Sequence, residues 1–277
     1  MTTLLFENES ARAPPVTPAA PRNYLSFSAI RTYQSCPLKY YFKYVAGLPE
    51  ESVSSSLVFG SAIHRAIEHH FRQQMSGERP PTTDELMLHY QAEWQERDAK
   101  LVRFGRGDDA AAFNDLAARM LTAFRDSDLA KSCGKILAIE EELRGPIIPG
   151  LPDLLGRVDL IVETTNELVI RDWKTSRARW SAEQVEESTE QLLLYSGLAA
   201  DFAPGKPVRI EFAVFTKTKT VAIEKHSIAV QQKPLDRMKR VVQRVFQAIT
   251  AEYFYPAPSP MACGGCPFRK PCRKWPG

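Results

Sequence analysis

Up to residue 132 apolar positions recur at helical spacing. Beyond Gly134 they form short alternating or continuous runs, so a helical first half gives way to a sheet-rich second half. Order begins at Tyr24. Ser28 has the residue type of an N-cap for a short helix that stops near Cys36-Pro37, because the residue before proline is driven out of the α region. A second helix runs through Tyr40, Tyr41 and Tyr44 to Gly47, and a third from Gly60 to Met75. A fourth starts at the capping box Thr82-x-x-Glu85, and a fifth covers 108–131. ILAIEEEL, DLLGRVDLIVE and ELVIRDWK then read as strands, the last two joined by a turn at Thr164-Thr165-Asn166. Ser181 or a neighbour caps a helix reaching Leu198, PVRIEFAVF and KTVAIEKHSI are two further strands, and Pro234 opens a long helix toward Tyr255.

Residues 1–24 include ARAPPVTPAAPR, Pro- and Ala-rich without an apolar period, and predict a flexible arm. The rest, 25–277, reads as one domain: a helical region over 25–132, a sheet core over 134–230, and a C-terminal helix with a cysteine loop over 231–277. The fold class is α/β, a mixed central sheet with flanking helices.

The chemistry concentrates at Asp172-Trp173-Lys174, which closes an apolar strand. Side chains alternate along a strand, so Asp172 and Lys174 share one face while Trp173 turns into packing. Asp159 sits on the preceding strand, which the turn folds alongside, so two carboxylates and an ammonium converge. Two hard oxygen ligands of this kind, completed by waters and a substrate phosphate, suit Mg²⁺ or Mn²⁺. An Asp-x-Lys pair alone is ordinary cross-strand decoration, and its position after an apolar strand and beside a second acid sets this one apart. Gln191 and Tyr195, four apart, share a helix face.

At 277 residues, 44% hydrophobic and 25% charged, the composition is ordinary for a globular chain and excludes wholesale disorder, collagen-like repeats and small disulfide scaffolds. No apolar run is long enough to span a membrane, and MTTLLFENES lacks a signal peptide's basic n-region; a cytoplasmic protein without a membrane partner is expected. The net charge of +3 is uneven: from Lys217 onward 12 Lys and Arg face 3 Asp and Glu, which suits a polyanionic partner and equally a solvated face.

The order Gly60-x-x-x-His64, Gly156-x-x-Asp159, Asp172-x-Lys174, Gln191-x-x-x-Tyr195 resembles the RecB-type branch of the PD-(D/E)XK nuclease superfamily. The opening SFSAIRTYQSCPLKYYFKYVAGL resembles the N-terminal signature of the same family, and the likeness spans Tyr24 to Trp275. It implies metal-dependent cleavage of DNA on a restriction-endonuclease-like core. His64, Asp159 and Asp172 would hold the metal, Lys174 would assist the attacking water, and Gln191 with Tyr195 would shape the site. Glu140 or Glu142 could add a ligand. Arg157, Thr175 and Arg177 are candidate phosphate contacts or, equally, ordinary surface residues.

Cys263, Cys266 and Cys272 crowd a Gly- and Pro-rich loop, and three thiolates this close usually bind metal. Five Cys is an odd count, which fits a metal site in a reducing compartment better than a disulfide framework. Cys36, which precedes Pro37 as Cys266 precedes Pro267, is the candidate fourth ligand, and Cys133 reads as incidental. Four thiolates accept structural Zn²⁺ or a 4Fe-4S iron–sulfur cluster alike. One early and three late cysteines bracketing the motifs resemble the iron–sulfur subgroup, which includes AddAB-type nuclease subunits and CRISPR-associated exonucleases, and this implies 4Fe-4S, a staple between the chain ends. Arg269, Lys270, Arg273 and Lys274 interleave with the cysteines beside Phe268 and Trp275, as in a single-stranded DNA track or an aromatic-packed cluster loop.

The expectation is a Mg²⁺- or Mn²⁺-dependent exonuclease acting on single-stranded DNA ends in repair or recombination. The alternatives are a CRISPR spacer-acquisition nuclease and a non-catalytic DNA-end-binding scaffold. Because no Gly-x-x-x-x-Gly-Lys-Ser/Thr loop is present, any partner motor would be a separate helicase, and CRISPR adaptation proteins are the other candidate partners.

Overall fold

The computed structural model describes residues 23–105 and 107–276; most of the arm expected over 1–24 lies outside them. The chain starts with strand β1 (Tyr24–Ser26), helix α1 (Phe27–Ser35) and the short α2 (Pro37–Tyr40), which continues as a wider π-helical turn over Tyr41–Val45. Strand β2 (Val53–Ser54) leads into α3 (Ser55–Met75) and α4 (Thr83–Gln95), then β3 (Val102–Arg103) and α5 (Ala110–Asp126). The main strands are β4 (Lys135–Gly145), β5 (Asp153–Glu163) and β6 (Leu168–Ser176), followed by α6 (Ala182–Ala199), β7 (Val208–Thr216) and β8 (Ile223–Ala229). The chain closes with α7 (Gln232–Thr250), α8 (Pro260–Gly264) and α9 (Arg269–Arg273).

The sheet runs β1-β5-β6-β7-β8, with β4 also paired to β5. β5 and β6 form the expected hairpin, held at its turn by Thr164 Oγ1, which accepts from the Asn166 and Glu167 amides. β6 and β7 are parallel, as the intervening α6 crossover requires, so the sheet is mixed and the fold is α/β as expected. On one face α3, α4 and α5 bury Leu160, Val162, Trp173 and Phe215; on the other, α1, α6 and α7 bury Val158, Ile170, Phe212 and Val214. Trp173 does turn into packing, its ring stacked 5.7 Å from Phe71.

Several boundaries differ from expectation. Ser26, not Ser28, caps α1, its hydroxyl accepting from the Ala29 amide, because β1 extends to Ser26 in register with β5. α3 starts five residues before Gly60, capped by Ser54, since Val58 and Phe59 already lie on the buried face. Asp109 caps α5, which ends at Asp126 where Ser127 turns extended. α7 begins at Gln232, with Pro234 in a first turn whose amides need no intrahelical partner, and stops at Thr250, ahead of left-handed Glu252 (φ 56°).

Candidate active site

Register places the carboxylates. The β5–β6 ladder ends where Leu160 pairs with Arg171, so Asp159 and Asp172 lie just past its end on adjacent strands. On the other edge of β5, Ile139 pairs with Leu160 and Glu141 with Val158, which sets Glu140 opposite Asp159. Three acids thus form a row across β4, β5 and β6. His64 comes in from α3, its Nδ1 3.3 Å from Asp159 Oδ2 and 3.8 Å from Glu140 Oε1. The Trp173 amide donates to Asp159 Oδ2 at 2.7 Å, fixing that carboxylate. Glu140 adopts a left-handed backbone (φ 49°), uncommon for a residue with a side chain and of the kind held by surrounding structure at functional sites. Between the two acids the sequence left open, the geometry brings in Glu140, while Glu142 pairs in register with Arg157 and is exposed.

Lys174 Nζ lies 2.6 Å from Asp172 Oδ2, on the α6 side of the strand. Gln191 and Tyr195 face it from α6 and share a hydrogen bond. The Tyr195 ring lies flat on Gly156, where a methyl group would overlap it, so Gly156 is required by contact.

Burial alone would depress the His64 imidazole, but Asp159, Glu140 and Asp172 outweigh it and push it up to about 10. Burial, reinforced by Asp159 and opposed by Lys174, raises the Asp172 carboxyl to about 6. Burial opposes ionisation of Asp159 too, yet His64, Lys174 and the Trp173 amide hold it below the usual carboxylate range. Burial works against the Lys174 ammonium, and Asp172 and Asp159 reverse the balance and raise it. The centre is a compact set of two cations and acids that neutralise one another.

One ligand atom each from His64, Glu140 and Asp159 lies within 4.8 Å of the others. Oxygen-rich donors at that separation fit a divalent ion with ligands at about 2.1 Å, whose opposite ligands stand about 4.2 Å apart. Asp172, expected among the ligands, lies outside this trio and pairs with Lys174. Of the other expected contacts, Arg157 is exposed at the edge with Nη1 3.8 Å from Glu140 Oε2. Thr175 follows Lys174 on β6 and Arg177 is exposed beyond it. His70, near in sequence, is elsewhere, buried with Nε2 2.7 Å from the Ala130 carbonyl.

Cys36, Cys263, Cys266 and Cys272 line one cavity of about 60 Å³ at the meeting of α2, α8 and α9. The Ala257 amide donates to Cys36 Sγ, and burial together with the other three cysteines raises the Cys272 thiol. Phe268 is buried against Phe42, and Trp275 packs on Tyr41 and Phe42, so both aromatics pack the loop. Arg269, Lys270, Arg273 and Lys274 are exposed, with Lys270 paired to Glu51 at 3.1 Å. Cys133 is exposed and apart. No helix among the described residues is long and apolar enough to cross a membrane.

A family model described as the PD-(D/E)XK nuclease superfamily matches residues 24–273. Among solved structures, a candidate exonuclease from Eubacterium rectale superposes with TM-score 0.57 over 91% of this chain and 88% of its own, at 14% identity. SSO0001, at 13% identity over 87% of this chain and 92% of its own, has TM-score 0.36 and carries no argument. No curated protein matches. At 14% identity the first likeness speaks for the fold alone.

Proposed function

Since the chain belongs to the PD-(D/E)XK nuclease superfamily, we propose that it is a RecB-type, Mg²⁺- or Mn²⁺-dependent DNA exonuclease acting on single-stranded ends in repair or recombination, within one nuclease domain over 25–277. The observation that carries this reading is the gathering of His64, Glu140 and Asp159 beside the Asp172–Lys174 pair. When bound, the ion would polarise the scissile phosphate and lower the pKa of a coordinated water. His64 would contribute Nδ1 only after releasing the proton its carboxylate neighbours favour. Glu140 and Asp159 would supply oxygens, with Asp172 a further carboxylate at the same locus. Lys174, kept charged by Asp172, would orient the attacking water and meet charge developing on the phosphate. Tyr195, seated on Gly156 and bonded to Gln191, would hold that ammonium's surroundings in place.

The test is degradation of end-labelled single-stranded DNA with each divalent ion. Wild-type protein should cut with Mn²⁺ or Mg²⁺, and Asp172→Ala or Lys174→Ala should lose the activity while still binding DNA. DNA left whole by the wild type with either ion would leave the end-binding scaffold standing instead. Co-purification from cells would report whether a helicase or CRISPR adaptation proteins accompany it.

The cysteine cavity supports a second element of the proposal, a 4Fe-4S cluster on Cys36, Cys263, Cys266 and Cys272. Four thiols far apart in the sequence line one cavity, which suits Zn²⁺ or an iron–sulfur cluster alike, and the likeness of one early and three late cysteines to the iron–sulfur subgroup favours the cluster. Protein purified without oxygen should be brown and absorb near 400 nm (roughly, as thiolate-bound iron clusters do). A colourless preparation with stoichiometric zinc would refute it.

A further inference from the structure

Lys217, the first residue after β7, has no part in the centre described above. Its amide donates to the Ser176 carbonyl at 2.6 Å, which ties it to the end of β6 just past Lys174 and Thr175. Its ammonium lies over the ring of fully buried Phe59 on α3, 4.7 Å from the centroid. The next residue on α3 is Gly60, one turn before His64, and a methyl group at Gly60 would stand 3.7 Å from Thr175 Oγ1. Phe59 and Gly60, adjacent on α3, therefore seat the Lys217 ammonium and the Thr175 hydroxyl against neighbouring positions of the helix, one turn before His64.

Charge at that spot is unbalanced. Among the described residues neither Lys217 nor Arg177 has a carboxylate within ion-pair distance, whereas Lys174 nearby is paired with Asp172 at 2.6 Å. Burial and the neighbouring Arg177 both work against the Lys217 charge, and Asp108 only partly compensates. A half-buried cation held near a second cation, beside a hydroxyl and a residue with no side chain, has the makings of an anion site.

We infer that Gly60, Thr175, Arg177 and Lys217 form a cradle for one backbone phosphate of the DNA strand, next to the phosphate being cut. Thr175 Oγ1 donates to it, Lys217 and Arg177 neutralise it, and the bare backbone at Gly60 makes room for its oxygens. The inference rests on the nuclease reading and adds Lys217 and Gly60 to the residues that bind the strand. Phe59 holds the Lys217 stem and fixes where its charge sits.

The experiment measures single-stranded DNA binding across a salt series in the full chain carrying Lys174→Ala, with Mn²⁺ present, and steady-state cleavage with Lys174 intact. Adding Lys217→Ala should weaken binding roughly tenfold at low salt and reduce the slope of log K against log salt by about 0.7, the share of one phosphate on a single strand. In cleavage it should raise KM far more than it lowers kcat, and Lys217→Arg should restore most of the loss. Gly60→Ala gives a reading that folding defects cannot mimic: alanine favours a helix interior over glycine, so the melting temperature should rise while DNA affinity falls. If the wild type cuts DNA but Lys217→Ala and Gly60→Ala leave KM and the salt slope unchanged, the cradle is wrong and the nuclease reading survives. If inorganic phosphate binds the wild type and not Lys217→Ala while DNA affinity is equal in both, the strand assignment is overturned. Wild-type protein that neither binds nor cuts DNA would bring down both.

Discussion

The carboxylate row and the cysteine cavity both join residues far apart in sequence, but they are held by different means. Glu140, Asp159, Asp172 and Lys174 sit inside long strands whose ladders fix their register, and His64 is anchored on a helix of 21 residues whose inner face is buried. The four cysteines sit in or beside helices of nine, four, five and five residues, tied across the chain ends by the Leu38 amide to the Tyr255 carbonyl and by rings of Tyr41, Phe42, Phe268 and Trp275. In the first region opposite charges offset one another within a scaffold that needs no ligand. In the second, four cysteines line a small cavity whose walls are buried apolar and aromatic side chains on short helices. The first is held by sheet register and a long helix, the second by short helices and ring contacts.

Mutation should separate the two regions, and the largest effect sharpens the contrast. Lys174→Ala should reduce cleavage by about a thousandfold or more, the scale seen when a group aimed at developing charge is removed, with little change in melting temperature because the ladders remain. Cys36→Ser should do the reverse. It should remove the brown colour and, if the cluster acts as a cross-link between chain ends, lower stability by roughly 3–5 kcal/mol, with activity per folded molecule reduced far less. Equal loss of stability in both variants, by thermal melts in the same buffer, would erase the distinction.

A smaller effect tests how rigid the first region is. Gly156→Ala forces a methyl group into the Tyr195 ring, which strand β5 and helix α6 cannot both accommodate without shifting. Overpacking of this kind costs about 1–3 kcal/mol. Because the ring borders Lys174, cleavage should fall more than the stability loss explains, and Tyr195→Ala placed on top of Gly156→Ala should recover part of the stability. A double variant no more stable than the single one would show that the contact is not what Gly156 is for.

Much of this arrangement is legible from residues alone, and the exceptions share a physical origin. The Asp172-x-Lys174 face, the inward Trp173 and the β5–β6 turn follow from strand alternation and from Thr164, both local rules. The choice of Glu140 over Glu142 does not, because it hangs on a left-handed residue that breaks the alternation within β4. The early start of α3 escapes a reading that takes Gly60 as a boundary, since the gain from burying Val58 and Phe59 exceeds the cost of glycine inside a helix. Lys217 gives no local signal; only the parallel pairing of β6 with β7 brings it to the end of β6, where its amide reaches the Ser176 carbonyl. The buried Arg171–Glu211 pair, with Arg171 Nη2 2.7 Å from Glu211 Oε2, likewise needs that parallel register to be seen.

The smallest expected effect is a proton count, and it reports on the carboxylate centre without any mutation. His64 has its folded pKa raised from 6.5 to about 10, so its charge stabilises the metal-free protein fully below pH 6.5 and that contribution is lost as pH rises toward 10. Asp172 is raised from 3.8 to about 6, so it also favours the metal-free fold at low pH and loses that advantage as pH climbs through 6. Asp159, lowered, contributes in the opposite sense: its stabilisation is present above its ordinary pKa and lost as pH falls through the depressed one. A divalent ion at Nδ1 must displace the His64 proton, so Mn²⁺ affinity should climb by up to about tenfold per pH unit between 6.5 and 9. Below about 6 the climb should be steeper, because Asp172 then has a proton to lose as well. Calorimetry at pH 8 in two buffers of different ionisation enthalpy should register about one proton released per ion bound, and His64→Gln should abolish that release while the cysteine cavity, read by its absorbance, stays as it was. Proton release unchanged in His64→Gln would mean that the imidazole is not a ligand, and that the row of acids holds its ion without it.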